Sequence, residues 1–150
     1  MTAVTLPPGL RLDIEDDPSE ANIEVLPQAL EAFNESRWPR HQPWKTLGVF
    51  VRDRDSILAG LAGETYAGWL FIKYLWVSDD LRGQGIGRKL MAGGEARALE
   101  RGSHSAWVDT FGFQAPGFYR KLGYEVFGEL DWSPQHKRFF LQKRLAHDPS

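Results

Sequence analysis

Between Trp69 and Gly102 the chain changes its pattern once, abruptly, and that change limits the fold more than any other feature. Trp69 to Val77 is apolar or aromatic at every position except Lys73, the composition of a central strand covered on both faces. From Gly85 to Arg101 small or apolar residues recur every four positions, at Ile86, Leu90, Gly94 and Ala98, with Gly102 placed as a stop; that period is helical. Between the two lies Leu81-Arg82-Gly83-Gln84-Gly85-Ile86-Gly87-Arg88-Lys89. Gly93 and Gly94 inside the helix each cost about 1 kcal/mol relative to alanine, so close packing on the sheet is expected to compensate.

The alternating glycines remove side chains where the backbone N–H groups of a helix start point outward, an arrangement that holds a phosphate or pyrophosphate. Arg82, Arg88 and Lys89 surround that start. Cations there oppose the helix dipole by about 0.3–1 kcal/mol each, which makes sense if a polyanion occupies the turn; Asp79 and Asp80 offset them only in part. Spacing separates the phosphate binders. A dinucleotide fingerprint would need glycine where Arg88 stands, and no glycine of the turn is followed by the lysine and hydroxyl pair of a nucleotide P-loop.

The remaining elements follow from the same periodicities. Leu10, Leu12 and Ile14 alternate as in a strand; Asp17-Pro18-Ser19-Glu20 reads as a helix start with Asp17 as N-cap and Pro18 first in the helix. Ile23, Leu26, Leu30 and Phe33 form the stripe of a helix packed on a core, which Pro27 should kink or divide. Glu35 to Lys45, with Trp38, Pro39, His41, Pro43 and Trp44, reads as a loop or short helical turn. Leu47–Arg52 and Ile57–Tyr66 form a hairpin around Asp53-Arg54-Asp55-Ser56. His104–Phe111 is a strand, Pro116–Leu122 a short helix stopped by Gly123, and Tyr124–Leu130 with Arg138–Leu145 a terminal pair of strands. The tail from Ala146 to Ser150 is expected to fray.

Length and composition bound the classes of function. A chain of 150 residues, 42% hydrophobic and 25% charged, suits one globular domain over residues 1–150. No cysteine is present, which excludes disulfide scaffolds, cysteine-based zinc or iron–sulfur sites and a thiol nucleophile. The net charge of −2 offers no general attraction to nucleic acid or an anionic membrane. The longest apolar stretch, Tyr66 to Val77, is too short for a bilayer and Met1 to Asp17 lacks a signal-like run, so a cytoplasmic protein is expected. A homodimer is left open.

The run R-x-x-G-x-G after a strand ending Leu75-Trp76-Val77, followed by Arg88-Lys89-Leu90-Met91, resembles the acetyl-CoA signature of the GNAT N-acetyltransferases. Phe118-Tyr119-Arg120-Lys121-Leu122-Gly123-Tyr124 resembles that family's second signature, at the usual distance. The resemblance covers about Trp69 to Tyr124. It implies an α/β (α+β) fold with a mixed, mostly antiparallel sheet of about six to seven strands flanked by helices. It also implies transfer of the acetyl group of acetyl-CoA to a primary amine. Backbone amides across Arg82, Gly83, Gln84, Gly85, Ile86, Gly87 and Arg88 would then hold the CoA pyrophosphate. The backbone of Leu75, Trp76 and Val77 would pair with the pantetheine arm, Phe118 and Tyr119 would flank it, and the Val77 N–H would polarise the thioester carbonyl. Many members carry asparagine where Gly112 stands here; Gln114 is a substitute for its contact.

Such a transfer needs an alkylammonium with a pKa of about 10.4 to lose a proton and a thiolate with a pKa of about 8.5 to gain one. Tyr119 is placed by the motif to donate to the sulfur, although Ala115, Phe118 and Leu122 would also suit a tyrosine that merely packs. Asp109, between Trp107 and Phe111, is the best placed carboxylate for a base, with Glu64 second; either could equally be a paired surface group, and a base acting through water stays open. His41, His104, His136 and His147 have no zinc-binding spacing, so no metal is expected. A serine nucleophile elbow is absent, and Lys137-Arg138 with Lys143-Arg144 reads as the solvated face of a strand. By the same resemblance the segment of Trp38, His41 and Trp44, with Glu64, is expected to wall the acceptor, and aromatic walls suit a small amine better than a peptide. Protein or peptide N-acetylation and a non-catalytic CoA sensor are the alternatives.

Overall fold

The computed structural model describes residues 5–146; His147 and the tail beyond Ala146 lie outside the described residues. The chain divides into two units, Met1–Arg40 and His41–Ser150.

In the first unit, helix α1 spans Glu20–Arg37, capped by Ser19, whose hydroxyl accepts a hydrogen bond from the Asn22 amide at 3.1 Å. The cap is therefore Ser19 and not Asp17: the Ser19 backbone is extended at ψ 151°, and its hydroxyl reaches the third amide of the helix. Pro27 does not divide α1. It leaves one carbonyl without its amide partner while the turns on either side continue. The helix also takes in Glu35–Arg37, shortening the expected loop. No strand forms over Leu10 to Ile14, where Arg11 instead bonds Asp13 two residues on at 2.9 Å. Alternation alone supplies a face, and a strand also needs a partner ladder. Within this unit Ile23, Leu26, Leu30 and Phe33 are each more than half exposed.

The second unit carries a six-stranded sheet in the order β1-β2-β3-β4-β6-β5. Strands β1 (Lys45–Asp53), β2 (Ser56–Tyr66) and β3 (Trp69–Val77) form an antiparallel meander, closed at its first turn by Arg54 in the left-handed region. Helix α2 (Ile86–Glu100) crosses over to β4 (Ser105–Phe111), which lies parallel to β3, as a crossover helix permits. Helix α3 (Pro116–Lys121) leads to the hairpin of β5 (Glu125–Ser133) and β6 (His136–Arg144), with β6 antiparallel to β4.

One face of this sheet is the core. Leu47, Ala59, Leu61, Leu70, Ile72, Val108 and Leu141 are buried with Leu90, Met91 and Ala98 of α2. The two helix glycines act as spacers: a Cβ on Gly93 would come within 3.3 Å of Val49, and one on Gly94 within 3.3 Å of Leu61. The opposite face carries Phe71 stacked on Trp107 with ring centres 4.1 Å apart.

Strand β3 is not covered along its whole length, as a central strand was expected to be. Its register against β2 steps between Ala62↔Tyr74 and Gly63↔Ile72, leaving Lys73 as the extra residue of a bulge. Alternation inverts there. Leu70 and Ile72 point into the core, Leu75 and Val77 join them after the bulge, and Tyr74 and Trp76 emerge on the other face, 72% and 51% exposed.

Candidate active site

The bulge coincides with a parting of the sheet. Parallel pairing of β3 and β4 stops at Ile72↔Val108, although β3 runs on to Val77 and β4 to Phe111. Because Ser78 donates its amide to Leu58 of β2 at 2.9 Å, alternation turns the Val77 and Leu75 amides the other way, toward the gap. The Val77 carbonyl on that edge accepts from Arg82 Nε at 3.3 Å. A strand edge with open amides is thus held within a structured cleft of about 980 Å3.

The glycine turn closes one end of the cleft. Gly83 and Gly85 adopt φ of +79° and +78°, a region that side-chain-bearing residues rarely occupy. Gly85 is the N-cap of α2 without any side-chain cap, and the first amide to bond back within the helix is that of Lys89. The amides of Ile86, Gly87 and Arg88 are therefore the unsatisfied donors of a helix start. Gly87 serves a different purpose from its neighbours: a Cβ there would meet Cζ of Phe118 at 3.2 Å, so its absence admits that ring to the cleft wall. Arg82, Arg88, Lys73 and Lys121 line the cleft, and Asp109 is the one carboxylate among its lining residues. This donor set fits the phosphates of a nucleotide-linked ligand.

Of the residues singled out in the sequence, Leu75, Trp76, Val77, Arg82, Gly83, Gly85, Ile86, Gly87, Arg88, Phe118, Tyr119 and Asp109 line this one cleft. Gln84 does not; its side-chain amide reaches back to the Asp80 carbonyl at 3.4 Å. Gln114 lines the cleft, but its amide oxygen is spent on Phe111 N and Thr110 Oγ1 at 2.8 and 3.0 Å, closing the β4–α3 turn. Trp44 stacks on Tyr66 with ring centres 4.2 Å apart. Tyr66 pairs with Trp69, eight residues or about 26 Å of strand from Val77, so the structure does not bring Trp44 to the cleft. Trp38 follows α1 in the first unit, its amide on the Asn34 carbonyl. Glu64 is held by Lys73 at 2.8 Å and lies outside the cleft lining.

Tyr119 is 6% exposed and packs edge-on against Phe118 and Tyr124. Its hydroxyl makes no hydrogen bond with any described residue, and the residue opens on the cleft. Burial, followed by the charge of Asp109, pushes its pKa up to about 12, so the hydroxyl keeps its proton. Asp109 does not sit in a purely aromatic surround: Arg138 Nε donates to Oδ1 at 3.0 Å and Nη2 donates to the same oxygen. Arg138 was read from the sequence only as part of a solvated basic face. The signal that could have found it is register, since Arg138 lies opposite Phe111, one diagonal from Asp109.

A sheet parted beside its central strand, with a helix start of bare amides closing the gap, defines a class of protein that takes an extended ligand along the strand edge and its phosphates at the turn. The chain belongs to the acetyltransferase (GNAT) family, whose model matches residues 13–124. It is 39% identical over 120 residues to blasticidin-S acetyltransferase of Streptomyces morookaense, covering 78% of this chain and 88% of that protein. Its fold matches an acetyltransferase crystal structure from Agrobacterium tumefaciens with a TM-score of 0.83 at 30% identity, over 90% of this chain and 99% of that one. The same fold occurs in an aminoglycoside 6'-N-acetyltransferase solved with coenzyme A, with a TM-score of 0.62 at 17% identity over 89% and 98% of the two chains. The protein is an acetyltransferase that takes its acetyl group from acetyl-CoA. Among the described residues no helix is long and apolar enough to cross a membrane.

Proposed function

We propose that this enzyme acetylates the primary amine of a small molecule by direct transfer from acetyl-CoA, in the cytoplasm where that donor is made. The observation that carries the reading is the Tyr119 hydroxyl, protonated and without a hydrogen-bond partner among the described residues, in the same cleft as the open edge of β3 and the glycine turn. The small-molecule acceptor is supported by the blasticidin-S acetyltransferase relative, whose name states what it acts on.

Acetyl-CoA supplies an activated thioester. In our assignment the amides of Ile86, Gly87 and Arg88, with Arg82 and Arg88, hold the pyrophosphate, and Leu75 offers its amide and carbonyl to the pantetheine arm as a neighbouring strand would. The Val77 N–H donates to the thioester carbonyl oxygen, where negative charge grows. The acceptor ammonium loses one proton to solvent and its nitrogen bonds to the acetyl carbon as the carbon–sulfur bond breaks. Tyr119 gives its proton to the departing sulfur, and the nitrogen's second proton, lost with amide formation, returns Tyr119 to its protonated state through solvent. The products are the N-acetyl amide, free thiol and one net proton. Asp109 is assigned to the acceptor side.

The test is thiol release from acetyl-CoA across polyamines, aminoglycosides, blasticidin S, amino acids and peptides. Acetylation of at least one small amine, with peptides slower, is expected. Efficient modification of peptides with every small amine inert overturns the reading.

A further inference from the structure

The β4–β6 side of the cleft carries an ion pair with an unusual division of labour. Trp107, Asp109 and Phe111 alternate onto the face of β4 opposite α2, while Val108 and Thr110 are buried on the core side. Arg138 projects from β6 to the same face, and its guanidinium lies 5.4, 5.1 and 5.7 Å from the ring centres of Phe111, Trp132 and Phe140. Three rings around a planar cation restrict its rotamers and favour its charge. Both of its contacts to Asp109 fall on Oδ1. The second oxygen, Oδ2, accepts no hydrogen bond from any described residue. A carboxylate has room for about four donors, and Asp109 lines the cleft, so Oδ2 can take a donor from a ligand there.

The cleft's lining cations are Arg82 and Arg88 at the glycine turn, Lys121 at the end of α3 and Lys73 at the β3 bulge, where Glu64 holds it at 2.8 Å; its one lining carboxylate is Asp109. Asp109 also acts electrostatically on Tyr119, so the two share a neighbourhood. A cation bound at Oδ2 would share that neighbourhood with the proton donor.

We propose that Asp109 Oδ2 receives an N–H of the acceptor while it is still an ammonium, and that Arg138 is the positioning residue that turns this oxygen to the cleft. The inference rests on the acetyl-transfer reading and deepens it: the acceptor enters as a cation and is recognised before it is deprotonated. Asp109 is then an anchor, with its charge shared between Arg138 and substrate, and the proton leaves through solvent. The sequence offered Asp109 as the best placed carboxylate for a base or as a paired surface group; its role here is in binding the acceptor.

The experiment uses the panel amine that the unaltered enzyme acetylates fastest. Arg138→Gln should raise KM for that amine at least tenfold, with kcat within about twofold and acetyl-CoA affinity by calorimetry unchanged. Unchanged acetyl-CoA affinity also shows that the variant is folded. Arg138→Lys should recover part of the loss, because a cation still reaches Oδ1, and Asp109→Asn should match Arg138→Gln. The double variant should be no worse than either single one, since both act through one oxygen. An Arg138→Gln enzyme with unaltered amine KM, or additive losses in the double variant, overturns the positioning role. An Asp109→Asn enzyme with unaltered amine KM overturns the anchor while acetyl transfer stands. An unaltered protein that turns over no amine overturns both.

Discussion

Tyr119 shows how the place of one side chain in a motif can be legible while its physics waits for the structure. Its place in the motif was legible; the residue's 6% exposure and the lack of a hydrogen-bond partner for its hydroxyl among the described residues were not, because burial depends on Phe118 and Tyr124 closing around it. Tyr119→Phe keeps the ring and removes the proton donor. Turnover should fall by about 10²–10⁴ with acetyl-CoA affinity preserved, measured where chemistry limits the rate. The raised pKa has a second consequence, for stability. Below pH 10.0 folded and unfolded chains both hold the proton and stability is complete; from there to about 12 the unfolded chain ionises while the folded one does not, and stability is lost. Tyr124, buried and hydrogen-bonded to Glu95 at 3.0 Å, is shifted in the same direction. Melting temperature should therefore be flat up to about pH 10 and fall steeply above it, and Tyr119→Phe should soften the fall. A fall of equal steepness in that variant would assign the loss to other groups.

At the scale of elements, the glycine turn and the helix after it were legible because periodicity and glycine spacing are local properties. What each glycine does was not. Gly83 and Gly85 are needed for their positive φ, and a Cβ on either finds nothing within 4 Å, so it is backbone strain and not bulk that forbids a side chain. Gly85→Ala is expected to cost about 1–2 kcal/mol of local strain. It should weaken acetyl-CoA binding more than it lowers the melting temperature of the free protein, as calorimetry and thermal melts can compare. Gly87→Ala acts on a neighbour, displacing Phe118. The strand expected at Leu10 to Ile14 failed for the converse reason: pairing is not local, and residues 10–14 find no ladder. The bulge at Lys73 was equally hidden, since a two-residue alternation read through an inserted residue predicts the wrong face for Tyr74, Leu75, Trp76 and Val77.

At the scale of the whole sheet, the ordered pair of motifs foretold the cleft, and Trp44 shows the limit of that foresight. A loop that a resemblance places at the acceptor site can lie at the far end of a strand from it. Saturating acetyl-CoA at a hundredfold excess over its Kd should stabilise the fold by about 2.7 kcal/mol, seen as a higher melting temperature; identical melts with and without ligand would contradict binding to the native state. The parted sheet gives that stabilisation a location. Only four residue pairs, Trp69↔Ser105 to Ile72↔Val108, join β1-β2-β3 to β4-β6-β5 by strand pairing, so the sheet is two leaves on a short spine. A ligand lying along Leu75 to Val77 would act as a splint across the leaves. Amide exchange should then slow on both of them when acetyl-CoA binds, including strands that the ligand never touches.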